Sequence, residues 1–151
     1  MMKITHALLA SLATLCATAP ALAALGGDAA SVEADRVSMK GASHVVTPFV
    51  DYSVHEIQTA NGTVIHEYVA ASGKVFAVSW SGPAVPDLRQ LLGGYSQQLE
   101  QAATRPHYDH HHLNIETPDV VMQSRGHLRT RAGRAWVPAL LPQNFSPKDI
   151  G

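Results

Sequence analysis

Residues 50–70 read VDYSVHEIQTANGTVIHEYVA, and the way this stretch pairs with itself decides the fold. Two β-prone runs, 50–59 and 63–70, flank Asn61-Gly62. Asn-Gly between such runs is a strong hairpin signal, because both residues tolerate the positive φ of a type I′ turn. A two-residue loop sets Ile57 opposite His66 and His55 opposite Tyr68. His55 and His66 then become diagonal neighbours on one sheet face, with Cβ atoms within ~8 Å. Glu56 and Glu67 face each other on the other side, and paired like charges repel. That face is expected to lie in solvent or to hold a cation, and a solvated polar stripe is the plainer reading. A slip of one residue in register would remove the whole arrangement.

Downstream, Ser72-Gly73 makes a second turn, and residues 74–80 (KVFAVSW) are apolar on both faces, as a central strand should be. The stretch GPAVP at 82–86 ends the strand pattern. Pro86 suits the first turn of a helix and Asp87 suits its dipole. Leu88, Leu91, Leu92, Tyr95, Leu99, Ala102 and Ala103 recur at helical spacing, which predicts one amphipathic helix over 86–103. Gly93-Gly94 interrupts it at ~1 kcal/mol per glycine relative to alanine, and close packing on the sheet would explain them. Residues 105–112 are polar, contain Pro106 and read as a loop. Segments 119–124, 127–131 and 134–137 form a second meander, with turns at Arg125-Gly126 and Ala132-Gly133, and an irregular tail follows from Pro138.

Upstream of Phe49 there is no Phe, Trp or Tyr, so residues 24–48 read as an arm. Asp28 could cap a short peripheral helix there, carrying Val32, Val37 and Met39. The expected architecture is α+β: an antiparallel sheet of two meanders, about five to six strands, covered by one main amphipathic helix. The single domain would run over residues 49–151. Trp80 and Trp136 fit this scheme best as core anchors, with an aromatic binding platform as the alternative.

Residues 1–23 read as a signal peptide. Lys3 supplies the positive start, residues 7–15 (ALLASLATL) the apolar segment, and Ala21-Leu22-Ala23 the small-x-small cleavage pattern. Ser11, Thr14, Thr18 and Pro20 make the stretch too short and too polar for the ~20 residues of a membrane span, and no later segment resembles one. Export to the periplasm or beyond follows. Cleavage after Ala23 would remove Cys16, the one cysteine, and with it thiol catalysis, thiolate metal sites and disulfides. The 151-residue chain is 46% hydrophobic and 15% charged, with a formal net charge of −1. A packed domain is within reach, and a dedicated nucleic-acid binder is disfavoured.

Several short motifs recur in a fixed order: Leu25-Gly26-Gly27; Glu67-Tyr68-Val69; GKVFAVSWSGP at 73–83; Pro86-Asp87-Leu88-Arg89; Leu91-Leu92-Gly93; Gly126-His127-Leu128-Arg129; and AGRAWVP at 132–138. Together they resemble a proteobacterial (Burkholderia-type) family of small secreted proteins known only as a domain of unknown function. The resemblance spans nearly all of the chain after the leader. It implies an exported, single-domain bacterial protein and no particular activity.

Catalytic signatures such as G-x-S-x-G or a P-loop are absent. His55-Glu56 and His66-Glu67 each begin an H-E-x-x-H pattern without its second histidine. Three features carry chemistry. The tract His107-Tyr108-Asp109-His110-His111-His112 offers imidazole and carboxylate ligands for zinc or another transition metal, through His107, Asp109, His110 and His112. A solvated polar loop is the preferred reading of it. The second feature is the His55/His66 pair. The third is basic: with 127–131 as one strand, His127, Arg129 and Arg131 share a face, with Arg134 nearby, and could dock an anionic ligand or an acidic partner. An ordinary charged outer face is the simpler account.

The leading expectation is a non-enzymatic binding or interaction module of the bacterial envelope. The alternatives are a periplasmic metal-binding protein built on the histidine tract and a small hydrolase with a His-carboxylate site. Without Lys3 and His6 the chain keeps 10 basic groups, 12 acidic groups and eight histidines. Protonating those histidines, around ~6.5, moves the charge from −2 to +6 and should strengthen binding to anionic surfaces.

Overall fold

The computed structural model describes residues 25–104, 112–127 and 130–151. Residues 1–24 and most of the histidine tract lie outside these residues. The chain forms one seven-stranded antiparallel sheet in the order β1-β2-β3-β4-β7-β6-β5. The strands are β1 (Gly41–Pro48), β2 (Tyr52–Thr59), β3 (Val64–Ala70), β4 (Val75–Gly82), β5 (His112–Glu116), β6 (Val121–His127) and β7 (Thr130–Trp136). The helices α1 (Ala30–Ser38), α2 (Leu88–Leu92) and α3 (Ser96–Ala103) are short.

This corrects the expected α+β arrangement of two meanders under one main helix. The sheet is continuous because β7 returns to pair with β4, Val78 opposite Ala135 and Trp80 opposite Gly133. Its seventh strand comes from the supposed arm, whose residues 41–48 pair with β2. Nor is the rest of the arm peripheral, since Leu25 and Val32 are buried in the main core. The predicted helix over 86–103 is broken. Asp87 caps α2 by accepting from the amides of Arg89 and Gln90. Gly93 then turns the chain with φ +50 into a 3-10 turn before α3 begins. A left-handed φ is cheap for glycine alone, so the glycine pair serves a change of direction.

The deciding hairpin also differs from its expected form. Gln58 pairs with Val64, and the Thr59 amide donates to the Thr63 carbonyl at 2.9 Å. The loop therefore holds three residues, Ala60-Asn61-Gly62, and Gly62 takes the left-handed φ of +85 that closes such a loop. Asn61 Oδ1 accepts from the Thr63 amide and the Thr59 hydroxyl. The register becomes Ile57 opposite Ile65, Glu56 opposite His66 and His55 opposite Glu67. His55 and His66 thus lie on opposite faces, and the expected Glu56–Glu67 pair does not exist. The physical reason is burial: this register turns both Ile57 and Ile65 fully into the core, and apolar burial on one face fixes register more strongly than a turn preference.

One face of the sheet packs on the helices. Ile57, Ile65, Val78, Trp80, Ile115 and Met122 meet Val32, Leu91, Leu92 and Leu99 there. The Trp80 ring lies over Gly133, where a Cβ would stand 2.2 Å from Cζ2. The opposite face is covered only at one end. Tyr68, Phe76, Ala77, Trp136 and Ile150 form a second, smaller core, joined by Tyr52 and Phe145. Phe145 meets Phe76 edge-on at 4.8 Å and Tyr52 at 5.1 Å, a favoured aromatic geometry. Both tryptophans are buried, one in each core. Because the C-terminal segment covers only this end, the rest of the face is open.

Candidate functional site

The open part of that face is a groove of about 620 Å³. Strand alternation and the five ladders fix what lines it. One row crosses six strands in register: Glu56, His66, Ser79, Arg134, Gln123 and Asn114. The row beside it runs Gln58, Val64, Ser81, Ala132, Arg125 and His112. The next row on the other side is apolar, with Val54, Tyr68, Ala77, Trp136 and Val121. The C-terminal segment covers the apolar row and reaches Arg134 in the first polar row, where Ser79 is buried, and leaves Ser81, Arg125 and His112 of the second row open.

Hydrogen bonds join members of the polar row. His66 Nε2 lies 3.1 Å from Glu56 Oε2, and Ser79 Oγ lies 3.5 Å from His66 Nδ1. Arg134 donates from Nε to Gln123 Oε1 at 3.0 Å and from Nη1 to the carbonyls of Pro147 and Ile150 at 3.0 and 3.1 Å. Its guanidinium also lies over the Trp136 ring. Arg134 therefore fastens the C-terminal wall of the groove as well as lining it. Arg125 and His112, opposite each other on β6 and β5, are exposed at its rim. Among the described residues the groove is lined by two arginines and two histidines, and the Glu56 carboxylate stands at the end of the polar row beside His66.

The helical face carries a second concentration of ionisable groups. Asp35 on α1 and Glu67 on β3 are both fully buried. Gln90 on α2 donates to Asp35 Oδ1, while Asp35 Oδ2 and both Glu67 oxygens have no partner among the described residues. Burial, reinforced by the neighbouring Asp35, pushes Glu67 up to about 9. Burial likewise pushes Asp35 up to about 7, against the Gln90 hydrogen bond. His55, opposite Glu67 in register, is held below its ordinary value by burial and by the adjacent His44, whose Nε2 is 3.1 Å from His55 Nδ1.

Of the residues singled out in the sequence, His107, Asp109, His110 and Arg129 lie outside the described residues. His112 opens β5 at the groove rim. His127 ends β6 opposite Thr130, and Arg131 stands opposite Gly126. The expected turns at Arg125-Gly126 and Ala132-Gly133 are instead mid-strand positions, where Arg125 pairs with Ala132 and Gly126 with Arg131. Alternation then places Arg131 and Arg134 on opposite faces. No cluster of three or more His, Asp or Glu suited to a metal occurs among the described residues. No described helix is long and apolar enough to cross a membrane.

Ser79, Ser81, Asn114 and Gln123 escaped sequence reasoning. The signal available was the alternation of Ser79 and Ser81 in the otherwise apolar β4, where small polar residues two apart mark one uncovered face. Residues 21–150 match the family described as a protein of unknown function (DUF2844). No curated protein and no solved structure matches the chain.

Proposed function

This chain belongs to the DUF2844 family, and we propose that it is an exported binding module of the bacterial envelope that seats an anionic, hydroxyl-rich ligand, an acidic glycan, in the groove. The observation that carries this reading is the polar row across six strands, beside a rim of Arg125 and His112. Serine, asparagine and glutamine side chains offer paired donors and acceptors to sugar hydroxyls. The Arg125 guanidinium matches a carboxylate in bidentate geometry. A groove of about 620 Å³ falls within the ~300–1,000 Å³ of small-ligand sites, and a rigid sheet floor fixes the polar groups in advance.

Export rests on the leader-like residues 1–23. Sequencing of the chain recovered from the periplasm or medium should show Ala24 as its first residue, and an intact Met1 would refute cleavage. Ligand binding is tested by fluorescence anisotropy with a labelled oligogalacturonate against a neutral dextran of equal length. Binding to the acidic probe alone, weakened at least tenfold by Arg125→Glu, is the expected result. Equal binding to both probes, or no effect of the substitution, would refute the proposal.

A further inference from the structure

One end of the polar row carries more than recognition requires. Glu56, His66 and Ser79 stand in that order on β2, β3 and β4, in register and on one face. Glu56 Oε2 is 3.1 Å from His66 Nε2, which fixes the Nε2–H tautomer and leaves Nδ1 as the acceptor. Ser79 Oγ is 3.5 Å from that Nδ1. A nucleophile within reach of a base that is itself oriented by a third group is the arrangement that activates a serine, and its hydrogen bond is often looser before substrate binds. Ser79 is nearly enclosed, 4% exposed, yet it lines the groove, so its environment holds little water. Arg134 is its register partner on the other side, with Gln123 beyond. The cationic side chain of the row thus stands on the neighbouring strand, on the same face as the atom where negative charge would develop.

We infer that the groove hydrolyses an ester, with Ser79 as nucleophile, His66 as general base and acid, and Glu56 positioning the imidazole. Ser79 Oγ attacks the ester carbonyl as its proton passes to His66 Nδ1, giving a tetrahedral oxyanion beside Arg134. The C–O bond to the alcohol breaks, the alcohol leaves with the proton from His66, and an acyl-serine is left. Water, deprotonated by His66, then attacks the acyl carbon, and the C–O bond to Ser79 breaks to release the carboxylic acid and restore the serine. An O-acylated sugar is the ester class that suits this groove. This part of the inference rests on the glycan reading, whereas the activated serine does not.

The test treats the full chain with a fluorophosphonate probe and locates the adduct by mass spectrometry, alongside hydrolysis of p-nitrophenyl acetate. An adduct on Ser79, absent from the Ser79→Ala chain and at least ~100-fold slower to form in His66→Ala, supports the inference. Partial rescue of His66→Ala by added imidazole would separate loss of the base from loss of fold. Glu56→Gln should lower kcat about tenfold and leave KM unchanged, as a positioning role requires. No adduct on Ser79, or an adduct that forms equally fast in His66→Ala, overturns it. Because the probe carries no sugar, a Ser79 adduct without oligogalacturonate binding would refute the glycan reading alone, and the reverse result would refute the hydrolase alone.

Discussion

Glu67→Gln should abolish the loss of stability that the wild-type chain suffers on going from pH 7 to pH 9. Glu67 is fully buried between the sheet and α1, without a hydrogen-bond partner for either oxygen among the described residues. Folding holds its proton until about 9, against 4.5 for an ordinary glutamate. The unfolded chain therefore binds fewer protons than the folded chain throughout that interval, and stability falls as pH rises through it. Each raised group lowers stability by about 1.4 kcal/mol per pH unit. Asp35, raised to about 7 from 3.8, contributes below neutrality and has no further effect above it. Between pH 7 and 9 the loss from Glu67 is thus about 2 kcal/mol, a large part of the ~5–15 kcal/mol that holds a domain together. Glutamine keeps the shape and cannot ionise, so the variant should lose only the small amount owed to other groups. The assay is urea denaturation followed by far-UV circular dichroism at pH 5, 7 and 9. Equal losses for the two chains between pH 7 and 9 would show that Glu67 is not a buried, protonated acid.

Gly133→Ala should destabilise the fold by at least ~2 kcal/mol, since its Cβ would stand 2.2 Å from the Trp80 ring and overpacking of a closed core is costly. An unchanged midpoint in thermal unfolding would contradict the packing of β4 on β7. Lys40→Gly should stabilise by about 1 kcal/mol, because Lys40 takes a left-handed φ of +52 where α1 gives way to β1. A loss of stability in urea titration would argue against that conformation. Binding of the oligogalacturonate probe should tighten from pH 7.5 to 5.5, as protonation of histidines moves residues 24–151 from −2 toward positive charge. Added salt should weaken it, and pH-independent affinity would refute the electrostatic part of the proposal.

Much of the fold was legible where one local rule acted alone. The run Val75–Trp80, apolar at every position but Ser79, is the central strand and is buried throughout. Asp87 starts its helix as its residue type requires. Register was not legible, because two local rules competed at Asn61-Gly62. The dipeptide suits a two-residue turn, while the buried Ile57 and Ile65 demand a third loop residue. That single residue inverts β3 relative to the expectation, sending Glu67 into the core and His66 to the groove. The turns expected in the C-terminal meander were misplaced, since Arg125-Gly126 and Ala132-Gly133 resemble turns but lie within strands.

The candidate site was legible only in pieces. Arg134, His66 and His112 stood out as residue types. Their assembly depends on β7 pairing with β4, fifty or so residues away in sequence, and on the two connecting ladders. No local periodicity encodes such a long-range match. The edge-strand role of residues 41–48 was hidden similarly, because GASHVVTP contains too few aromatic or alternating residues to announce a strand without its partner.

Binding in the groove requires the ligand to touch a defined set of residues on one face of the sheet. A 15N–1H correlation spectrum recorded during titration with oligogalacturonate reports this residue by residue. The shifts should concentrate at Ser79, Ser81, Asn114, Gln123 and Arg125, which share the open face, while α1, α2 and the Val32–Leu91 core stay unmoved. Shifts confined to the helical face or to β1, or none at saturating probe, would contradict the claim that the polar row is the binding site.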